Sequence, residues 1–113
     1  MADIYKRLVT GVPAQVGIGN TTVYTCPVAT SAVVKKISIV NTSGVDATIK
    51  INHVPNAGAV GATNVVLNTA TIVAGGGATD DDAIILLSAG DFISCIASAA
   101  ASITVILYGI EST

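Results

Sequence analysis

Charge is what this chain has least of. Only 11% of its 113 residues are Asp, Glu, Lys or Arg, against roughly 25% in an ordinary soluble domain, and residues 8–34, 51–79 and 92–110 contain none. A monomer with so little charged surface dissolves poorly, so something other than water is expected to cover part of it. The net charge is −2 and the five basic residues are Lys6, Arg7, Lys35, Lys36 and Lys50, with no aromatic interleaving. A phosphate backbone requires a dense basic surface, so nucleic acid is excluded as a partner.

Aromatic residues are scarcer still, at 4% with no Trp. Tyr5, Tyr24, Phe92 and Tyr108 all fall inside predicted strands, which weakens a sugar-stacking site and with it the alternative reading as a receptor-binding fibre component. His53 is the single histidine; a metal site needs several ligands, so it reads as a strand-end histidine near an interface. With no acid placed to orient it, the many Ser and Thr residues gain no general base. Asp80-Asp81-Asp82 lacks the spaced acids of a calcium loop and reads as a solvated charged loop. The Gly75–Gly77 run lacks the Lys-Ser/Thr of a phosphate loop. Cys26 and Cys95 pair only if their strands are neighbours, and buried free thiols are the common alternative. Asn20-Thr21-Thr22 and Asn41-Thr42-Ser43 match the glycosylation spacing, but MADIYKRLVTG has no basic-then-apolar leader layout. The expectation is a non-enzyme without metal or cofactor.

What the chain does have is a long uncharged run, FISCIASAAASITVILYGI, at 92–110. By length it approaches the 20 or so apolar residues of a membrane helix. Its content argues against one: Ser94, Ser98, Ser102 and Thr104 interrupt it, its centre is AAAS, both ends are rich in β-branched residues, and no flanking Lys or Arg follows. A membrane partner is therefore not expected.

Read with a period of two, the chain is β throughout. Val45, Ala47, Ile49 and Ile51 alternate with Asp46, Thr48, Lys50 and Asn52, and the turn cluster at 41–44 makes residues 33–54 the clearest predicted hairpin. Further strands are predicted at 4–10, 22–26, 65–73, 83–87, 92–97 and 102–110, with a tight turn at Gly90-Asp91. The fold expectation is all-β: one domain over 1–113, an antiparallel β-sandwich or jelly roll of seven to eight strands. Residues 1–10 read either as a contact arm or as an edge strand.

In the terminal strands Phe92, Ser94 and Ile96 oppose Ile93, Cys95 and Ala97, and Ile103, Val105 and Leu107 oppose Thr104, Ile106, Tyr108 and Ile110. Both faces are apolar, and monomers seldom tolerate such an exposed patch. The partner expected first is the chain itself, as a homo-oligomer, with a trimer the leading arrangement. Ile106 and Leu107 point to opposite faces, so a lysine at one should unfold the subunit and at the other should leave it folded but monomeric.

The order IYKRLVTG, then TTVYTCPVATSAVVKKISIVNTSGVDATIKINHVP, then LLSAGDFISCIAS closed by an apolar strand resembles a group of small tailed-phage virion proteins. In that pattern a Tyr-Thr-x-Pro strand leads to a V-V-K-x-I hairpin with an Asn-Thr turn, and a Leu-x-x-Gly-Asp turn follows. The resemblance covers almost the whole chain and implies a β-sandwich of the virion, either a head decoration (cement) protein or a small neck or tail component. It carries no catalytic residues. It implies the major capsid protein as partner and a place on the capsid surface after assembly in the host cytoplasm. On that reading Tyr5, Lys6 and Arg7 form a contact arm, the two cations meeting acidic capsid surface, and Ile106, Leu107 and Tyr108 supply further interface candidates. The loops at 55–63 and 75–82 would face capsid or solvent.

Overall fold

The computed structural model describes residues 3–8, 14–16, 18–80, 84–99 and 102–113, and of residues 3–5, 14, 15 and 80 the backbone alone. Among the described residues ten strands follow in order: β1 Asp3–Arg7, β2 Ala14–Val16, β3 Thr21–Thr25, β4 Ser31–Asn41, β5 Ala47–Val54, β6 Val65–Ile72, β7 Gly77–Asp80, β8 Ile85–Leu87, β9 Phe92–Ala97 and β10 Ile103–Ser112. A single 3₁₀ turn, Ala62–Asn64, precedes β6.

All strand pairs are antiparallel. The larger sheet has the order β1-β10-β4-β7, with β2 also beside β10 and β8 also beside β4; the smaller has the order β3-β9-β5-β6. This is the expected β-sandwich. Val34, Ile37, Ile39, Ile103, Val105 and Leu107 from the larger sheet meet Val23, Ile49, Ile51, Ile93, Cys95 and Ala97 from the smaller in one core. Each fully buried aliphatic side chain there contributes about 1.5–3 kcal/mol. The uncharged run at 92–110 becomes β9 in one sheet and β10 in the other, and no helix of the described residues is long and apolar enough to cross a membrane.

Two local expectations are corrected. The hairpin at 33–54 does not form, because β4 belongs to the larger sheet and β5 to the smaller. Each strand has one apolar row, and the rows face each other across the core instead of lying side by side. Asn41 makes the arch possible: fully buried, its amide NH2 donates to the Val45 and Ile72 carbonyls at 2.9 Å each, and its Oδ1 accepts from the Ser43 N–H at 2.9 Å. The Gly90-Asp91 turn likewise links strands of different sheets, β8 and β9.

The strand count exceeds expectation through β2, too short to show a period, and β7, which lies inside the stretch read as an acidic loop. Gly77 lets β7 approach, since a Cβ there would sit 2.8 Å from the Ile39 carbonyl oxygen. Asp81 and Asp82, and the side chain of Asp80, lie outside the described residues.

The cysteines, left open by the sequence, do not pair. β3 and β9 are neighbours, but Cys95 stands opposite Thr21, while the Cys26 N–H donates to the Asp91 carbonyl. Four residues, or roughly 13 Å of strand, separate them, beyond what a disulfide spans. Both thiols are free and buried.

Candidate interaction surface

Strand β10 alternates cleanly. Ile103, Val105 and Leu107 are fully buried, while Thr104, Ile106, Tyr108 and Ile110 are half-buried on the outer face. Strand β4 would do the same were it not for Lys35-Lys36, since one of two adjacent lysines in a regular strand must point into the core. A bulge removes the conflict: the β4–β10 register shifts at Tyr108/Gly109, so that Lys36 pairs with Tyr108 and Val34 with Gly109, leaving Lys35 as the extra residue. Val34 and Ile37 on either side are buried while Lys35 is exposed and Lys36 half-buried, so both lysines leave the core, as bulges permit. Gly109 is required at this point, because a Cβ there would lie 1.9 Å from the Val33 carbonyl oxygen.

Register then sets out the outer face row by row. Tyr5, Ile110, Val33 and Leu86 share one cross-strand row, of which the Tyr5 side chain lies outside the described residues. Arg7, Tyr108 and Lys36 form the next, with the Lys36 ammonium 5.6 Å from the Tyr108 ring centroid, a cation–π distance. Ile106, Ser38 and Thr79 form a third. Of the six interface candidates, Arg7, Ile106 and Tyr108 are brought together here. Leu107 faces the core instead. Lys35 and Lys36 were missed as site residues; the signal available was the adjacent pair itself, which cannot alternate without a bulge.

Lys6 departs from its neighbour Arg7. Over Asp3–Arg7 the amino-terminal segment is the edge strand of the larger sheet, not a free arm. Lys6 stands opposite Gly109 on the inner side and its ammonium pairs with Glu111 at 3.0 Å. The Tyr24 hydroxyl, from the smaller sheet, donates to the other Glu111 oxygen. Burial works against the Glu111 charge, but the hydrogen bonds from Tyr24 and Lys6 and the nearby ammonium outweigh it and hold the carboxyl below its usual range. Burial, then the carboxylate it serves, pushes the Tyr24 phenol up. Burial likewise raises the Cys26 thiol, and pushes Cys95 up to about 12, so neither is a ready nucleophile. This cluster ties the two sheets together along one side.

The outer face of the smaller sheet is arranged differently. Asn52, Val54 and Ser94 are buried although they point away from the core, because the chain from Pro55 to Asn64 folds back over them. The Asn52 amide donates to the Gly61 carbonyl at 3.0 Å and to Asn64 Oδ1 at 2.7 Å. His53 lies 3.3 Å from Asp91 Oδ2, and Asp91 also accepts from the Asn56 and Ser88 N–H groups at 3.0 Å each. Burial opposes the Asp91 charge, yet these hydrogen bonds leave its carboxyl below the ordinary range. His53 is thus a loop anchor.

Along the side opposite Glu111, between β6 and the β7–β8 edge, the sandwich stands open. A cleft of about 440 Å³ there is lined by Ile37, Ile39, Leu67, Ala70, Ile72 and Ile85 among others, with Thr79 its one polar lining residue. Val66 and the strongly exposed Ile84 stand at its rim. No ionisable group lines it. Among the described residues no cluster of three or more His, Cys, Asp or Glu is placed to hold a metal ion.

No family model matches this sequence, and no curated protein matches it. The fold is similar to that of a solved structure from Bacillus endospore appendages, described as a novel family of disulfide-linked pili. The TM-score is 0.56 at 13% identity, covering 98% of this chain and 88% of that one. At that identity the likeness is one of fold.

Proposed function

We propose that this protein is a non-catalytic structural subunit that attaches from outside to an assembled tailed-phage head and staples neighbouring capsid subunits. The observation that carries the reading is the outer face of the larger sheet. On a chain with 11% charged residues, one sheet has one end of its outer face covered by the protein's own loop, and the other presents Val33, Ile106, Tyr108 and Ile110 with nothing of the described chain laid over them. A stiff two-sheet scaffold with a bare face suits attachment. The aliphatic cleft beside β6 offers a second surface through which copies cluster as a homo-oligomer, with a trimer the arrangement that suits a capsid lattice. The virion assignment is supported by the resemblance of the sequence to small virion sandwiches.

A second reading, a subunit of a neck, tail or other filament, is favoured by the fold shared with a pilus-forming protein. Linkage between subunits would then be non-covalent, since the two cysteines of the sequence are both buried. The test is to add purified protein to phage heads lacking it. Saturable binding at lattice sites with a raised temperature of genome release supports stapling through linkage. Binding confined to the tail vertex transfers the protein to the neck or tail, and no binding to either rejects the virion reading. Sedimentation equilibrium checks self-association: a monomer at high concentration excludes the oligomer.

A further inference from the structure

The bare outer face of the larger sheet is not uniformly apolar. Register brings Arg7 of β1, Tyr108 of β10 and Lys36 of β4 into one row, and the bulge turns Lys35 out beside them. Three of the five basic residues of the sequence thus gather around one aromatic ring, although 28 positions separate Arg7 from Lys35. Aliphatic groups border the row on both sides: Val33, Ile110 and Leu86 on one, Ile106 on the other. The acids whose side chains are described lie elsewhere, while Asp3, of which the backbone alone is described, falls four residues before Arg7 in β1. Glu111 points inward to Tyr24 and Lys6, Asp91 is taken up by His53 and two backbone amides, and Asp46 caps the Ala74 N–H across the β6–β7 turn.

We infer that this face docks on an acidic protein surface with apolar ground around its carboxylates, Arg7 and Lys35 supplying the ion pairs and Tyr108, Ile106 and Ile110 the buried centre. Charge decides between occupants. A second copy packed face to face about a twofold axis would set Arg7 and Lys35 against the same two cations, and like charges across an interface are strongly disfavoured. A nucleic acid would want the cations spread along a track; here they form one patch, bordered by Val33, Ile110 and Leu86 on one side and by Ile106 with Ser38 and Thr79 on the other. An acidic, partly apolar protein surface matches both features. The inference deepens the attachment reading and rests on it for the identity of the partner.

The experiment compares wild type, the double variant Arg7→Glu/Lys35→Glu, and Lys50→Glu, which makes the same type of charge change on the smaller sheet. Circular dichroism first confirms that all three are folded. Binding to heads lacking the protein is then measured at low and high salt, and retention is measured on immobilised poly-L-glutamate, duplex DNA and phosphatidylglycerol vesicles. The expected result is head binding that weakens with salt, falls by about tenfold or more in the double variant and is unchanged in Lys50→Glu. Head binding indifferent to salt and to the double variant, or lost equally in Lys50→Glu, overturns the inference while the decoration reading stands. If wild type does not bind heads, the decoration reading falls and poly-L-glutamate judges the face. Salt-sensitive retention lost in the double variant then upholds the inference, and no retention overturns it. DNA or vesicles held as tightly as poly-L-glutamate, with the same loss in the double variant, also overturn it, because the patch then recognises anions in general.

Discussion

The two sheets of this sandwich meet the same difficulty in opposite ways. Each has too few charged residues to make an ordinary wet outer surface. The smaller sheet covers one end of its outer face: Asn52 reaches out to Gly61 and Asn64, and Val54 and Ser94 beside it are buried. Over the outer face of the larger sheet no described residue is laid, and there Arg7 and Lys36 flank Tyr108 in one row beside Lys35. The difference teaches where to look for a partner on a small β protein. An apolar face that the chain could have covered, and did cover in part on the other side, marks a contact surface more reliably than hydrophobicity alone, since more than half of any protein surface is apolar.

The comparison is sharpest within β10, where neighbouring residues belong to core and outer face. Leu107→Lys places a charge in the fully buried centre, which costs several kcal/mol; circular dichroism is expected to show an unfolded chain. Ile106→Lys, one residue earlier, is expected to melt within a few degrees of wild type and to lose attachment to heads. Equal stability of the two variants would break the distinction between the faces.

The arch that lets β4 and β5 belong to different sheets is the next largest effect. Asn41→Ala leaves the buried Ile72 carbonyl and the Ser43 N–H without this partner, while the Val45 carbonyl keeps the Ser43 hydroxyl, and a loss of about 2 kcal/mol is expected in denaturant unfolding. A loss below about 1 kcal/mol would mean that Asn41 does not hold the crossing.

The cover over the smaller sheet can be loosened by Asn52→Ala. The expected loss is about 1–2 kcal/mol, with increased binding of a hydrophobic dye as the face beneath the loop opens, and with head attachment unchanged. A loss of attachment would assign function to the wrong sheet.

The smallest effect lies at the closed side. A carboxyl held below its unfolded value contributes stability that is complete above that value, about 4.3 for Glu, and is lost as pH falls through the folded one. Glu111→Gln is therefore expected to be less stable than wild type at pH 7 by no more than about 1 kcal/mol, because its partner Lys6 is 46% exposed and solvent screens the pair. The gap should close as the pH drops below 4. A gap that persists in acid would show that packing, not charge, carries the contact.

Much of this was legible in the residues. Alternation along β10 placed Ile106 and Leu107 on opposite faces, though it did not say which of them meets the core, and the uncharged run at 92–110 could be assigned to strands from its serines and β-branched ends. The hairpin at 33–54 was not legible, because a period of two shows that a strand has a dry side and is silent on whether the next strand lies beside it or across from it. Lys6 and Arg7 look alike in sequence and separate only in the sheet, where one turns inward to Glu111 and the other outward beside Tyr108. The sequence by itself determined the class of fold, the shortage of charge and the need for a cover, since composition and periodicity are local properties. Strand order, the bulge at Lys35 and the gathering of Arg7, Lys35 and Lys36 into one patch were decided by the tertiary structure alone, because pairing register joins residues that no local rule connects.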